Sequence, residues 1–157
     1  MTRLTVFQEK MKDLADAALI GSPRNQFYLS GVRYDDGYLL ILPDAAYLLA
    51  DFRYIEVARR DAAAGFEVVL TEGGMLRAVA DLLADRRIGR LLLEEAHMTL
   101  AQKERLCAVA PHTEMKTGAG RLLGEMRVYK DAREIAAMTA AQELTDAAFS
   151  QIGRAHV

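Results

Sequence analysis

Tyr38-Leu39-Leu40-Ile41-Leu42, Pro43-Asp44-Ala45 and Ala46-Tyr47-Leu48-Leu49-Ala50 form two apolar runs separated by a turn-forming triplet. Proline presets one turn dihedral and aspartate bonds its own backbone, so the pair reads as two strands joined by a tight turn. Neither arm alternates apolar with polar residues. A strand with one wet face alternates, so both faces of this hairpin should be covered, as in a sheet layered between helices.

Outward from the hairpin the pattern switches repeatedly between the two periods. Upstream, Leu4, Phe7, Met11 and Leu14 lie three or four apart, one face of an amphipathic helix. Ala17-Ala18-Leu19-Ile20 suits a short buried strand ended by Gly21. Ser22-Pro23 then starts a short helix through Tyr28 and Leu29, with serine as N-cap and proline at the first helical position, stopping at Gly31. Downstream, Phe52 to Ala64 reads as a helix with Ile55 and Ala58 inward, and Phe66–Leu70 as the next strand. Gly73-Gly74 precedes a helix from Met75 to Ala84, with Leu76, Val79, Leu82 and Leu83 on its apolar face. Arg90–Leu93 is a further strand, and a helix opening at Thr99 carries Leu100, Leu106 and Val109 inward, Cys107 among them. Met115 falls in a last short strand. The expected fold is therefore α/β, a mixed sheet of about six strands with helices on both faces.

Composition fits such a domain. In 157 residues, 52% are hydrophobic and 27% charged, enough for a packed core. Twenty Lys plus Arg against 22 Asp plus Glu give a net charge of −2, which argues against a nucleic-acid surface. One cysteine excludes an internal disulfide framework and a Cys-rich zinc module. No apolar run approaches a membrane span and the N-terminus lacks a signal-peptide core, so the expected location is cytoplasmic, away from membranes.

From Asp131 the character changes. Asp131-Ala132-Arg133-Glu134 has the form of a capping box before a long alanine-rich amphipathic helix through Ile135, Met138, Leu144 and Phe149. The expected division is one domain over 1–130 and the start of a second over 131–157. Residues 152–157, Ile-Gly-Arg-Ala-His-Val, are what a common sequencing-library adapter encodes in one frame. They are expected to be non-native, the natural chain to continue past Gln151, and His156 to carry no function.

Few residues invite chemistry. Gly118-Ala119-Gly120-Arg121-Leu122-Leu123-Gly124 is one residue too long for a dinucleotide-binding loop and reads as a flexible turn before a short helix. Glu94-Glu95-Ala96-His97 follows a strand, but a metal site needs three or four converging ligands, and solvated side chains are the expectation. No nucleophile has a positioned histidine, so no catalytic residue is assigned. Asp51-Phe52-Arg53-Tyr54 is the more telling segment, at a strand-to-helix junction. Asp51 reads as the N-cap. Arg53 opposes the helix dipole there, so it either pairs with Asp51 or Glu56 or aims its fork at an anionic ligand group.

Four stretches in order resemble the N-terminal domain of the creatinase/prolidase/aminopeptidase P family. Asn25-Gln26-Phe27-Tyr28-Leu29-Ser30-Gly31 is similar to its N-x-x-Y-L-[ST]-G segment, with Gln26-Phe27 replacing a more usual aliphatic–basic pair. Gly37–Ile41 with Ala46–Leu49 looks like its hairpin, and Asp51-Phe52-Arg53-Tyr54 matches D-x-R-Y. Arg127–Ile135 is similar to its R-x-x-K-[DS]-x-x-E-[IL] junction, with Ala132 where proline is common.

The resemblance implies a two-domain metallopeptidase that cleaves between an N-terminal residue and proline. Its pita-bread catalytic half holds two divalent metals, often manganese, through two Asp, one His and two Glu, all beyond this chain. The 131–157 helix would be that half's first element. The fragment should then bind no metal and be inactive, serving a parent that gates proline-containing peptides and forms a homodimer or higher oligomer. By the same resemblance Arg53, Tyr54, Asn25 and Tyr28 face the substrate cleft, and Asp51, Gly31 and Gly37 are structural motif residues. A prolidase- or creatinase-like hydrolase, or a non-catalytic peptide-binding or dimerisation module, shares the pattern.

Overall fold

The computed structural model describes residues 1–154; His156 and the end of the adapter-like tail lie outside the described residues. The described chain forms seven helices and six strands. They are α1 (Arg3–Met11), β1 (Ala17–Ile20), α2 (Pro23–Ser30), β2 (Gly37–Ile41), β3 (Ala46–Ala50), α3 (Ile55–Asp61) and β4 (Glu67–Leu70). Then follow α4 (Met75–Asp85), β5 (Arg90–Leu93), α5 (Leu100–Val109), β6 (Glu114–Thr117), α6 (Ala119–Val128) and α7 (Ala132–Arg154).

The strands make one mixed sheet in the order β4-β3-β2-β1-β5-β6. The hairpin forms as the sequence indicated: β2 and β3 pair antiparallel from Gly37↔Ala50 to Ile41↔Ala46. Its turn closes with Leu42 N–H donating to the Ala45 carbonyl at 2.8 Å. The Gln8 amide of α1 donates to the Leu42 carbonyl at 2.8 Å, tying the first helix to the same turn. The other pairings are β1–β2 antiparallel and β1–β5, β3–β4 and β5–β6 parallel.

Side chains alternate across the pleat, which sorts the core into two layers. Ala17, Leu19, Leu40, Tyr47, Leu49, Leu91 and Leu93 pack with Val79, Ala80 and Leu83 of α4 and Leu106 of α5. The intervening Ala18, Ile20, Leu39, Ile41, Leu48 and Ala50 are equally buried, as are Phe7 and Met11 of α1. Each fully buried leucine contributes about 1.5–3 kcal/mol. The unbroken apolar hairpin is thus explained, since both of its faces lie in a core. The edge strands β4 and β6 have half-buried centres and exposed ends, as expected of strands with one neighbour.

Several local expectations are revised. The helix read from Phe52 to Ala64 is α3 alone, because residues 52–54 form a turn and Ala62 is extended. Cys107 is exposed. On α5 only Leu106 is buried, and its sequence neighbour points about 100° away around the helix. Leu100 is exposed because it too lies on another face from Leu106, Val109 is exposed as the last residue of α5, and Leu14 lies beyond the end of α1 and is also exposed. The expected turn before a short helix shrinks to Gly118: α6 begins at Ala119 and takes in Gly120 and Gly124.

That helix start is capped from a distance. The Glu95 carboxylate accepts the backbone N–H groups of Gly118 at 2.9 Å and of Gly120 and Arg121 at 3.2 Å. Partial desolvation pushes the Glu95 carboxyl up, but these donors outweigh it and hold it below its ordinary value of 4.5. A carboxyl depressed in the fold stabilises above its unfolded value, and the contribution disappears as pH falls through the folded value. Glu95→Gln should therefore lower stability by up to about 1 kcal/mol at neutral pH, with the gap closing as the pH falls below the ordinary value of 4.5. Thermal melts of both proteins across that range check this; a gap that widens on acidification contradicts it.

The chain divides into two compact units, Met1–Gly124 and Glu125 onward. In the second unit the reciprocal cap forms: Asp131 N–H donates to Glu134 at 2.8 Å, and Glu134 N–H donates to Asp131 at 2.9 Å. Ile135, Met138, Leu144 and Phe149 of α7 are exposed. Among the described residues no helix is long and apolar enough to cross a membrane.

Candidate functional site

In open α/β sheets, ligands gather beyond the carboxyl ends of strands. Two clusters occupy that edge here. The first is built on the turn after β3. Asp51 Oδ1 accepts the Arg53 backbone N–H at 2.9 Å, and Asp51 Oδ2 accepts Arg53 Nε at 2.8 Å and Nη2 at 2.6 Å. Nη2 also donates to Asp36, which ends the loop before β2. The Arg53 Cζ lies 5.4 Å from the Tyr54 ring centroid, and that ring lies 6.1 Å from the ring of Tyr34.

This geometry fixes how Arg53 is held within the chain. It pairs with Asp51, as one reading had it, and with Asp36 rather than Glu56. It does not oppose a helix dipole, because α3 begins only at Ile55 with Tyr54 as its cap residue. Asp51 is accordingly not that helix's N-cap; its side chain closes the turn instead. The Arg53 hydrogen bonds hold the Asp51 carboxyl below its usual range, and Asp51 and Asp36 raise the guanidinium value in turn. Beside the cluster, Asp36, Asp51, Phe52, Glu72 and the Gly73-Gly74 turn line an open groove of about 590 Å³.

Tyr34 joins this cluster to the sheet. It is 3% exposed, burial raises its phenol, and its hydroxyl has no hydrogen-bond partner among the described residues. A buried unpartnered hydroxyl is destabilising. Tyr34→Phe should therefore leave stability unchanged or raise it by about 1 kcal/mol. A denaturant midpoint shifted clearly downward would show that the hydroxyl has a partner after all.

The second cluster contains Asn25, and it centres on Glu94, which is buried where the sequence suggests a solvated side chain. Glu94 is 3% exposed. Its Oε2 accepts the backbone N–H groups of Gly21 at 3.0 Å and Ser22 at 2.8 Å. Its Oε1 accepts Ser22 Oγ and Asn25 Nδ2, each at 2.5 Å. The sheet order explains the burial. β1 and β5 run parallel with Leu19 opposite Leu93, so the chain leaving β1 meets the residue leaving β5. Strands β2, β3 and β4 lie to one side of β1 and β5 to the other, so this is the sheet's switch point, and Glu94 fills it. Ser22 also caps α2, accepting the Asn25 N–H, as expected. Its hydroxyl donates directly to Glu94 rather than to a histidine, so no catalytic triad forms.

Around these clusters the family motif residues have mixed roles. Gln26 is fully buried, its amide donating to the carbonyls of Gly21 at 2.7 Å and Gly37 at 3.0 Å. Tyr28 is half-buried, with Arg3 stacked 4.9 Å from its ring centroid. Gly31 caps α2 with φ +76°, a left-handed conformation that favours glycine. Arg53, Tyr54 and Asp51 are thus brought together, while Asn25 and Tyr28 belong to α2. Asp36 and Glu94 were the residues missed. Among the described residues, no three of His, Cys, Asp and Glu converge as a metal would need.

Residues 3–129 match the model of the creatinase/prolidase N-terminal domain. The chain belongs to that family. Over 149 residues it is 30% identical to the uncharacterized peptidase YqhT of Bacillus subtilis, covering 92% of this chain and 42% of that protein. It is 25% identical to a solved Xaa-Pro dipeptidase from Bacillus anthracis, with a TM-score of 0.88 over 95% of this chain and 42% of the other. An X-Pro aminopeptidase structure from Thermotoga maritima is also 25% identical, with a TM-score of 0.80 over 90% and 42% of the two chains. The chain therefore spans about two-fifths of the length of each of these relatives.

Proposed function

We propose that this chain is the substrate-gating and oligomerising N-terminal domain of a cytoplasmic Xaa-Pro aminopeptidase-like metallopeptidase, itself without hydrolytic activity. The observation that carries the reading is the family match over residues 3–129 in a chain two-fifths the length of two solved relatives named as an Xaa-Pro dipeptidase and an X-Pro aminopeptidase. The described residues bring no ligand set together, so they do not fit the two divalent metals, manganese in the favoured case, and no hydrolytic step is assigned to them. What the chain offers is recognition: Arg53 and Tyr54 stand at the carboxyl edge of the sheet on a turn stiffened by Asp51. Asn25 and Tyr28, on α2, enter the proposal by the family resemblance alone, with the Asn25 amide donating to Glu94.

The test is to read the native gene past Gln151, produce the full-length protein with manganese, and assay a Xaa-Pro peptide against the same peptide lacking proline. Cleavage at the Xaa-Pro bond by the full protein, none by residues 1–151, and a sedimenting oligomer are the expected results. A natural stop directly after this chain, or an intact parent that binds proline peptides without cleaving them, favours the non-catalytic module instead. In an active parent, Arg53→Ala should lower kcat/KM on proline peptides about tenfold or more. Folding stability should move by less than about 0.5 kcal/mol, since the Arg53 pairs are half-exposed. Unchanged kinetics would leave Arg53 a surface residue.

A further inference from the structure

We infer that the Asp36–Arg53–Asp51 cluster selects against a free C-terminal carboxylate on the substrate, and that Asp36 is the residue setting this preference. The parent would then favour peptides extended or capped beyond proline over Xaa-Pro dipeptides. The inference rests on the placing of Arg53 at the cleft.

An arginine that recognises a carboxylate offers a two-donor edge and an uncompensated charge. Arg53 has neither to spare. Nε and Nη2 are both engaged by Asp51, and Nη2 also by Asp36, so each two-donor edge has lost at least one donor. Only Nη1 makes no hydrogen bond among the described residues. Its guanidinium faces two carboxylates, and the adjoining groove adds Glu72, which has no ion-pair partner among the described residues. Nη1 can donate to a neutral peptide carbonyl. A carboxylate in the same place would meet net negative charge, and like charges brought together discriminate between ligands.

The two aspartates are not equivalent. Asp51 also accepts the Arg53 backbone N–H and so shapes the turn. Asp36 comes from another loop, its side chain is 64% exposed, and its pairing is with the Arg53 side chain. An exposed pair of that kind adds little stability, so Asp36 can be neutralised without disturbing the fold.

Ala-Pro and Ala-Pro-amide differ only in the charge at the C-terminus, and the full-length parent should be assayed on both. The expected result is a kcat/KM ratio that favours the amide. Asp36→Asn should narrow that ratio about three- to tenfold, chiefly through KM for Ala-Pro, and less so in high salt. Asp36→Glu, which keeps the charge, should restore the original ratio, and unchanged melting of the Asp36→Asn protein excludes a folding defect. A ratio unmoved by Asp36→Asn, with Arg53→Ala still lowering activity on both substrates, overturns the inference and leaves the proposed function standing. Arg53→Ala without effect on either substrate removes the cleft reading itself, and the inference with it.

Discussion

Glu94→Ala should destabilise the chain by about 3–5 kcal/mol, because it strips the acceptor from four donors at once. Two of the donors are backbone N–H groups at the start of α2 and cannot turn elsewhere; the other two are Ser22 Oγ and Asn25 Nδ2. The substitution also leaves a cavity at a position 3% exposed. For a domain of this size the melting temperature should fall by roughly 10 °C. Glu94→Gln offers the control. Its carbonyl can still accept the two backbone N–H groups, and Ser22 and Asn25 can reorient to accept from its amide. The expected order of stability is wild type, then Gln, then Ala. A Glu94→Ala protein that melts with the wild type would show that the carboxylate does not bind this junction together.

The prominence of Glu94 shows where reading a sequence stops working. Its partners are 69–73 residues away, and they meet only because β1 and β5 lie side by side in the sheet. Nothing local to Glu94-Glu95-Ala96-His97 distinguishes a buried carboxylate from a solvated one. The hairpin was legible for the opposite reason, since its apolar arms and turn lie within a few residues of each other. The capping box at Asp131 was equally local. Helix α5 failed in part because Leu100, Leu106 and Val109 do not share one stripe, so their hydrophobicity did not report a buried face. In the candidate site, Asp51, Arg53 and Tyr54 are contiguous and readable as a motif. Asp36 is 17 residues from Arg53 and joins it only through the β2–β3 register that sets Gly37 opposite Ala50.

That same register makes Gly37 the most sterically restricted glycine among the described residues. A Cβ there would stand 2.2 Å from Tyr34 Cε2 and 2.5 Å from the Leu49 carbonyl oxygen. The ring could give way only by leaving its buried position over the strand. The Leu49 oxygen belongs to the neighbouring strand's backbone and cannot yield without moving the hairpin. Gly37→Ala should therefore destabilise by about 3 kcal/mol or more, at the upper end of overpacking effects. Since the displaced ring neighbours Tyr54 and hence the Arg53 cluster, the variant should also weaken recognition of proline peptides by the parent under the proposed function. The two contacts can be separated. Combining Gly37→Ala with Tyr34→Ala removes the clash with the ring but not the one with the Leu49 oxygen. The double variant should therefore remain less stable than Tyr34→Ala alone. If denaturant unfolding shows the two to be equally stable, the ring is the whole obstacle, and the β2–β3 backbones have more room between them than this register allows.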